Sequence, residues 1–266
     1  MNASTALLLS LAALTLAPVK PNVVRITAHD FSYTLPDALP AGLTTIEMTN
    51  DGKELHHAVF FRLEGGKRLA DLLEAMKGGA EPRWAVPVGG PQGPAPGRVA
   101  SATINLRPGR YAVLCVIPSS DGVPHVMKGM AKELMVTGKG VEKAELPKAD
   151  VHIKLVDYGF ELDRPLRAGK QLVQVSVAPG QPHEIVLIKL MPGKTWQDFA
   201  QWGEKPAGPP PADFIGGIAP MVGEHDAQFT LDLAPGEYAF ICFVPDGKDH
   251  KPHFLHGMAK QFKVAA

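Results

Sequence analysis

Cysteine is almost absent: the 266 residues contain two, Cys115 and Cys242. That excludes a disulfide-stapled scaffold and leaves room for one bridge at most. An excess of either charge is absent too, with 27 basic side chains against 27 acidic ones. Nothing in that balance suggests a nucleic-acid backbone or an anionic membrane as the main partner. Long apolar runs are missing beyond the first residues, and the run over 6–14 is too short to span a bilayer. It suits the hydrophobic region of a secretory signal, with small residues near Ala17 as a cleavage point, although no Lys or Arg precedes it. Residues 1–20 are therefore expected to be a signal peptide or an N-terminal anchor, and the protein periplasmic or extracellular.

Proline and glycine, by contrast, are plentiful: 25 and 27 residues, spread along the chain rather than gathered in tracts. That spread implies many turns, as in an all-β protein. A shift of 127 positions aligns the chain with itself. Asp30-Phe31-Ser32-Tyr33 falls on Asp157-Tyr158-Gly159-Phe160, Gly89-Gly90 on Gly216-Gly217, and Pro108-Gly109-Arg110-Tyr111-Ala112 on Pro235-Gly236-Glu237-Tyr238-Ala239. Cys115 falls on Cys242, and after one inserted residue Gly129-Met130-Ala131-Lys132 matches Gly257-Met258-Ala259-Lys260. A self-match of this length is a duplicated domain. The expected division is 21–138, a Gly/Lys/Glu-rich linker at 139–149, and 150–266.

Within each copy the pattern is mostly strands. Residues 172–177 alternate apolar and polar, as a half-buried strand does, and 185–190 form a near-continuous apolar run that suits a central strand. Closing strands are expected at 131–137 and 259–264. One segment per copy has helical spacing: 69–76, and a counterpart opening at Thr195, which can cap it with Asp198 in the first turn. The fold class expected is all-β, two tandem Greek-key β-sandwich domains each with one short helix. The proline-rich stretches 91–96 and 206–211 read as surface loops, and Trp84, Trp196 and Trp202 as packing residues.

The chemistry-bearing residues recur with the repeat. Copy one reads Cys115-x9-His125-x4-Met130, copy two Cys242-x10-His253-x4-Met258, and far upstream His56 and His183 each precede an apolar run. A thiolate and two imidazoles bind copper in a trigonal plane, with a Met thioether as a weak axial contact. Singly, each of these residues reads as core filler or a loop histidine; their joint order and spacing in both copies favour a metal site. In copy one His57 adjoins His56. The ungapped register selects His56 as the counterpart of His183, while His57 remains the alternative, because neighbours on a strand point to opposite faces. A Cys115–Cys242 disulfide is disfavoured, since equivalent positions of separate domains do not normally come within bonding distance.

With these residues in view, both halves resemble cupredoxins over nearly the whole span 23–264. The likeness rests on the strand-borne His, the Tyr-x-x-x-Cys strand (Tyr111 to Cys115, Tyr238 to Cys242) and the Pro-His…Gly-Met loop. The resemblance implies a type 1 copper in each half, held by His56, Cys115, His125 and Met130 and by His183, Cys242, His253 and Met258. The Cys-to-His spacing is longer than in the family. Two-domain copper enzymes that resemble this layout add a second copper centre with His-x-His pairs and a His beside the Cys. Here Leu114 and Ile241 precede the cysteines and no His-x-His occurs. An exported electron carrier working with a redox partner protein is therefore expected before an enzyme. The alternatives are a module exchanging copper with a donor or acceptor, and an interaction domain without functional metal.

Overall fold

The computed structural model describes residues 20–79, 82–140, 145–204 and 208–265. The N-terminal apolar run and linker residues 141–144 lie outside them. In the first copy the elements are β1 (Asn22–His29), β2 (Ser32–Thr34), β3 (Ala38–Pro40), β4 (Gly42–Asn50), β5 (Val59–Leu63), α1 (Leu69–Lys77), β6 (Ala85–Pro87), β7 (Val99–Leu106), β8 (Gly109–Leu114) and β9 (Ala131–Thr137). The second repeats the order with β10 (Val151–Val156), β11 (Gly159–Leu162), β12 (Gly169–Val177), β13 (His183–Leu190), α2 (Trp196–Glu204), β14 (Ala212–Met221), β15 (Asp226–Leu233), β16 (Gly236–Ile241) and β17 (Ala259–Val264). Among the described residues no helix is long and apolar enough to cross a membrane.

Each copy packs two sheets face to face. In the first, β3-β9-β8-β5-β6 lies over β7-β4-β1-β2; in the second, β14-β13-β16-β17 lies over β11-β10-β12-β15. The strands β7 and β12 alternate buried and open residues, because one face meets the core and the other solvent. Two strands differ. In β8 and β16 four consecutive residues, Tyr111 to Leu114 and Tyr238 to Ile241, are all buried. One face of β8 enters the sandwich core, and its other face, through Ala112 and Leu114, meets Leu72 of α1. In the second copy Ala239 and Ile241 likewise meet Phe199 of α2. Each cysteine follows directly on one of these doubly covered strands.

The helix starts follow from their caps. Thr195 and Asp198 bond reciprocally, Thr195 N–H to the carboxylate at 2.7 Å and Asp198 N–H to Thr195 Oγ1 at 3.2 Å. At α1 the N–H of Arg68 donates to Asp71, and that of Leu69 to Glu133. Arg68 and Arg110 flank Glu133; burial opposes its ionisation, yet their hydrogen bonds hold it down at about 2.

The copies share more than a linker. β15 pairs with β7 through Ala227–Ile104 and Gln228–Thr103, which fuses two four-stranded faces into one eight-stranded sheet. The other faces join as well: Gly89 N–H donates to Pro220 O, Ala219 N–H to Gly90 O and Gln92 N–H to Gly217 O. This corrects the reading of 91–96 as a surface loop. Residues 88–94 are buried, and the backbone of 88–92 pairs with β14 of the other copy. A Cβ on Gly90 would lie 2.0 Å from Ala58 O, and one on Gly217 1.8 Å from Ile185 O, so the close approach needs glycine at both equivalent positions. In the second stretch Gly208, Pro209 and Pro210 are exposed. Trp196 and Trp202 pack against the α2 cluster and Trp84 against the α1 cluster.

Candidate metal centres

Each copy gathers two histidines and its cysteine at one end of the sandwich. In the first, His56 Nδ1 and His125 Nδ1 lie 3.0 Å apart, with Cys115 Sγ 3.4 Å from His125 Nδ1. In the second, His183 Nδ1 and His253 Nδ1 lie 3.1 Å apart, with Cys242 Sγ at 3.5 Å from His253 Nδ1. Within each trio the candidate ligand atoms all lie within 4.8 Å of one another, and all six residues are buried. Both cysteines are free thiols.

The upstream histidines arrive differently. His183 opens β13, whereas His56 lies three residues ahead of β5, so the expected strand start at His56 is displaced to Val59. His57 turns away from the trio: its Nδ1 meets Gln92 and its Nε2 accepts the Val116 N–H. Each downstream histidine opens a 3₁₀ turn, His125–Lys128 or His253–His256. That turn shortens the long Cys-to-His spacing in space. It ends on Gly129 or Gly257 at φ 107° or 104°, left-handed backbone that glycine adopts without strain. The chain then doubles back. Met130 N–H donates to His125 O and Cys115 N–H to Met130 O; Met258, His253 and Cys242 repeat both bonds. Met130 and Met258 are fully buried in the cluster that holds the cysteines.

Behind the histidines stand carboxylates the sequence reading did not single out. His56 Nε2 pairs with Asp30 at 2.9 Å, His125 Nε2 with Glu54 at 3.0 Å, and His183 Nε2 with Asp157 at 2.7 Å. Asp30 is fixed in turn by the N–H groups of Lys53 and Glu54. A carboxylate that accepts a hydrogen bond from Nε2–H fixes the tautomer and leaves a lone pair on Nδ1. In the first centre both Nδ1 atoms are then acceptors, 3.0 Å apart and beside sulfur, with no hydrogen between them. Two lone pairs so placed repel unless a cation lies among them. The donor set therefore fits a metal ion, and its softness, one thiolate with two imidazoles, suits copper. In the second centre His253 Nε2 has no hydrogen-bond partner among the described residues and lies 4.0 Å from Asp246. Asp246 is itself held by Tyr158 OH, Gln181 and the Lys248 N–H, which keep it well below the usual carboxylate range.

Burial sets the protonation of the rest. It pushes the Cys115 thiol up to about 12 and raises that of Cys242, so without a metal both stay protonated at neutral pH. It lowers His56, His183 and His253, which keeps those rings neutral there. A further group, Asp246, Asp249 and His256, lies beside the second centre. Asp249 accepts from His256 and from the Lys251 N–H, and these bonds account for the cluster as a braced loop.

No family model matches the chain, and no curated protein matches it. Among solved structures, auracyanin of Roseiflexus castenholzii, reduced with Na-dithionite, is 18% identical with TM-score 0.32, over 44% of this chain and 98% of its own. Auracyanin A of Chloroflexus aurantiacus, a "blue" copper protein, is 16% identical with TM-score 0.33, over 44% and 100%. Copper nitrite reductase of Nitrosomonas europaea is 13% identical with TM-score 0.28, over 92% and 94%. The chain is a tandem pair of two-sheet β-sandwiches. What its centres can bind is decided by their own side chains.

Proposed function

We propose that this is an exported protein with a type 1 copper in each half, and that it carries electrons to or from a redox partner protein. The two units are 21–138 and 150–266, joined through 139–149. His56, Cys115, His125 and Met130 would hold the first metal and His183, Cys242, His253 and Met258 the second. One observation supports this reading above the others: the facing Nδ1 atoms of His56 and His125, with a buried sulfur beside them. A copper so held supplies one-electron chemistry. The protein's part is to keep the ligands still. Each cysteine follows a strand buried on both faces, each loop histidine sits on a 3₁₀ turn, and three of the four imidazoles are pinned by a carboxylate. A cage that does not rearrange lets the oxidation state change at little cost. Met127 and Leu255, exposed on the ligand loops, offer a partner apolar contact beside the histidines.

The test is a copper titration of the mature protein followed by visible absorption. Two equivalents are expected to give intense thiolate-to-copper bands that bleach and recover on reduction and reoxidation. Cys115→Ser and Cys242→Ser should each remove one equivalent of the colour. A colourless protein would sink the type 1 assignment. Binding confined to Cu(I), released readily to a chelator, would favour copper delivery over electron transfer.

A further inference from the structure

Between the two centres runs a buried polar chain that belongs to neither donor set. Val116, which follows Cys115, donates its backbone N–H to His57 Nε2 at 3.0 Å. That acceptor role puts the ring proton on Nδ1, which donates to Gln92 Oε1 at 3.0 Å. With its oxygen so engaged, the Gln92 amide donates through Nε2 to Glu184 Oε2 at 2.6 Å. Glu184 Oε1 accepts the backbone N–H of Phe243 at 2.9 Å, and Phe243 follows Cys242. Both ends are peptide N–H groups, which can only donate, so every polarity between them is fixed. His57, Gln92 and Glu184 are all buried.

The bridge is a product of the docked repeat. His57 and Glu184 occupy equivalent positions, and each receives the N–H after its own cysteine. Gln92 has Ala219 as its counterpart in the register, so one side chain serves both copies. It is placed by the junction itself: Gln92 N–H bonds to Gly217 O, and Pro91 bridges to Ile218.

We propose that the path Val116–His57–Gln92–Glu184–Phe243 is the route by which the two centres exchange electrons, making the chain a two-centre relay rather than two independent carriers. This rests on the copper reading above. From each cysteine sulfur the path runs through covalent bonds to the next peptide nitrogen, then through four hydrogen bonds without a van der Waals gap. Orbital overlap falls far less across a hydrogen bond than across an empty contact, and a dry interior keeps the bonds short and fixed. With copper held in both trios, the exchange would oxidise Cu(I) at one centre and reduce Cu(II) at the other. One electron crosses, and no proton accompanies it, because each hydrogen stays on its own donor.

Gln92 can be altered without touching a proposed ligand. Q92L removes the side-chain bonds to His57 and Glu184 together with the one from the Gly93 N–H, and Q92N keeps a polar group too short to span. The backbone bonds Gly89–Pro220 and Ala219–Gly90 hold the junction in either case. After flash reduction of the copper-loaded protein by a diffusing photoreductant, wild type should show a redistribution phase whose rate does not depend on protein concentration. C115S and C242S, with one centre each, should lack it. In Q92L and Q92N the phase should vanish or slow severalfold while both absorption bands and both reduction potentials stay put. A wild-type rate in both Gln92 variants would overturn the route, and so would two coloured centres with no such phase. Absence of any thiolate band would instead bring down the copper reading on which the route depends. In the metal-free protein, nitrogen NMR should find His57 protonated at Nδ1; a ring protonated at Nε2 breaks the chain and refutes it.

Discussion

Glu184 is a buried carboxylate that receives two hydrogen bonds but, among the described residues, has no cation paired with it, and its titration should be visible in the stability of the metal-free protein. Burial pushes it up to about 7 from 4.5, against the pull of the Phe243 N–H and Gln92. The folded value lies above the unfolded one. Below pH 4.5 both states are protonated and nothing is lost. As pH rises the unfolded chain ionises first, and stability falls until the folded group also ionises near 7. At ~1.4 kcal/mol per pH unit, the gap amounts to about 3 kcal/mol by pH 8. Glu184→Gln removes the titration. Urea unfolding of both proteins should be measured at pH 5, 6, 7 and 8, scoring the transition of the second half. The stability of wild type relative to E184Q should decline by roughly 2–3 kcal/mol across that range. His57 supplies a control of opposite sign. Burial depresses it to about 4 from 6.5, so its contribution is full above 6.5 and is lost as pH falls through 4. A difference between wild type and E184Q that stays flat from pH 5 to 8 would refute the reasoning, because it would mean that Glu184 is not held in a desolvated site.

Copper binding should release about one proton per centre at neutral pH, since a thiol held protonated must give up its hydrogen to ligate; pH-stat titration reads this directly, and no release would mean that sulfur is not a ligand. A Cβ at Gly52 would lie 2.4 Å from Asp30 Oδ1 and 2.5 Å from His56 Nε2. Gly52→Ala should therefore break the His56–Asp30 bond and weaken the first centre about 10–100-fold in chelator competition, leaving the second unchanged. Tyr111 donates to Arg107 O at 3.0 Å and Tyr238 to Ala234 O at 2.8 Å, each bond tying a core strand to the turn before it. Tyr238→Phe should cost about 1 kcal/mol in denaturant unfolding, with the copper spectrum unaltered; a changed spectrum would show that the corner also positions the metal ligands.

Much of the fold was legible because it rests on local pattern and on self-similarity. The closing strands β9 and β17 begin and end where the apolar spacing put them, and Thr195 with Asp198 announces α2 through capping chemistry alone. The trios were legible as residue types in order. Their supporting carboxylates were not, although half a signal existed: Asp30 falls on Asp157 in the 127-residue register, while position 181, opposite Glu54, is Gln181, and Asp246, which comes from a different loop, stays 4.0 Å from His253. The junction was illegible for a physical reason. Residues 91–96 have the composition of a solvated loop, and it is the docked second copy that covers 91 and 92, through the Gln92–Gly217 bond and the Pro91–Ile218 bridge. The 3₁₀ turns that bring His125 and His253 back to the cysteines were also hidden, since four-residue elements carry no periodicity.

The same junction explains why two adjacent histidines in copy one need not compete. The register paired His57 with Glu184, which looked like an ambiguity about ligands. In the fold it is a division of labour: the first residue of each pair, His56 or His183, faces the sulfur, and the second accepts the peptide N–H after the cysteine. That second role asks only for a buried acceptor, which an imidazole and a carboxylate both provide. They differ in what they offer Gln92, the imidazole a hydrogen and the carboxylate a lone pair. A primary amide offers one acceptor atom, its oxygen, on one side and one donor atom, its nitrogen, on the other. Two histidines at these positions would need an acceptor on each side of the bridge, and two glutamates a donor on each side; one amide oxygen and one amide nitrogen suit the mixed pair. The divergence of the copies at this position is therefore what allows a single glutamine to join them.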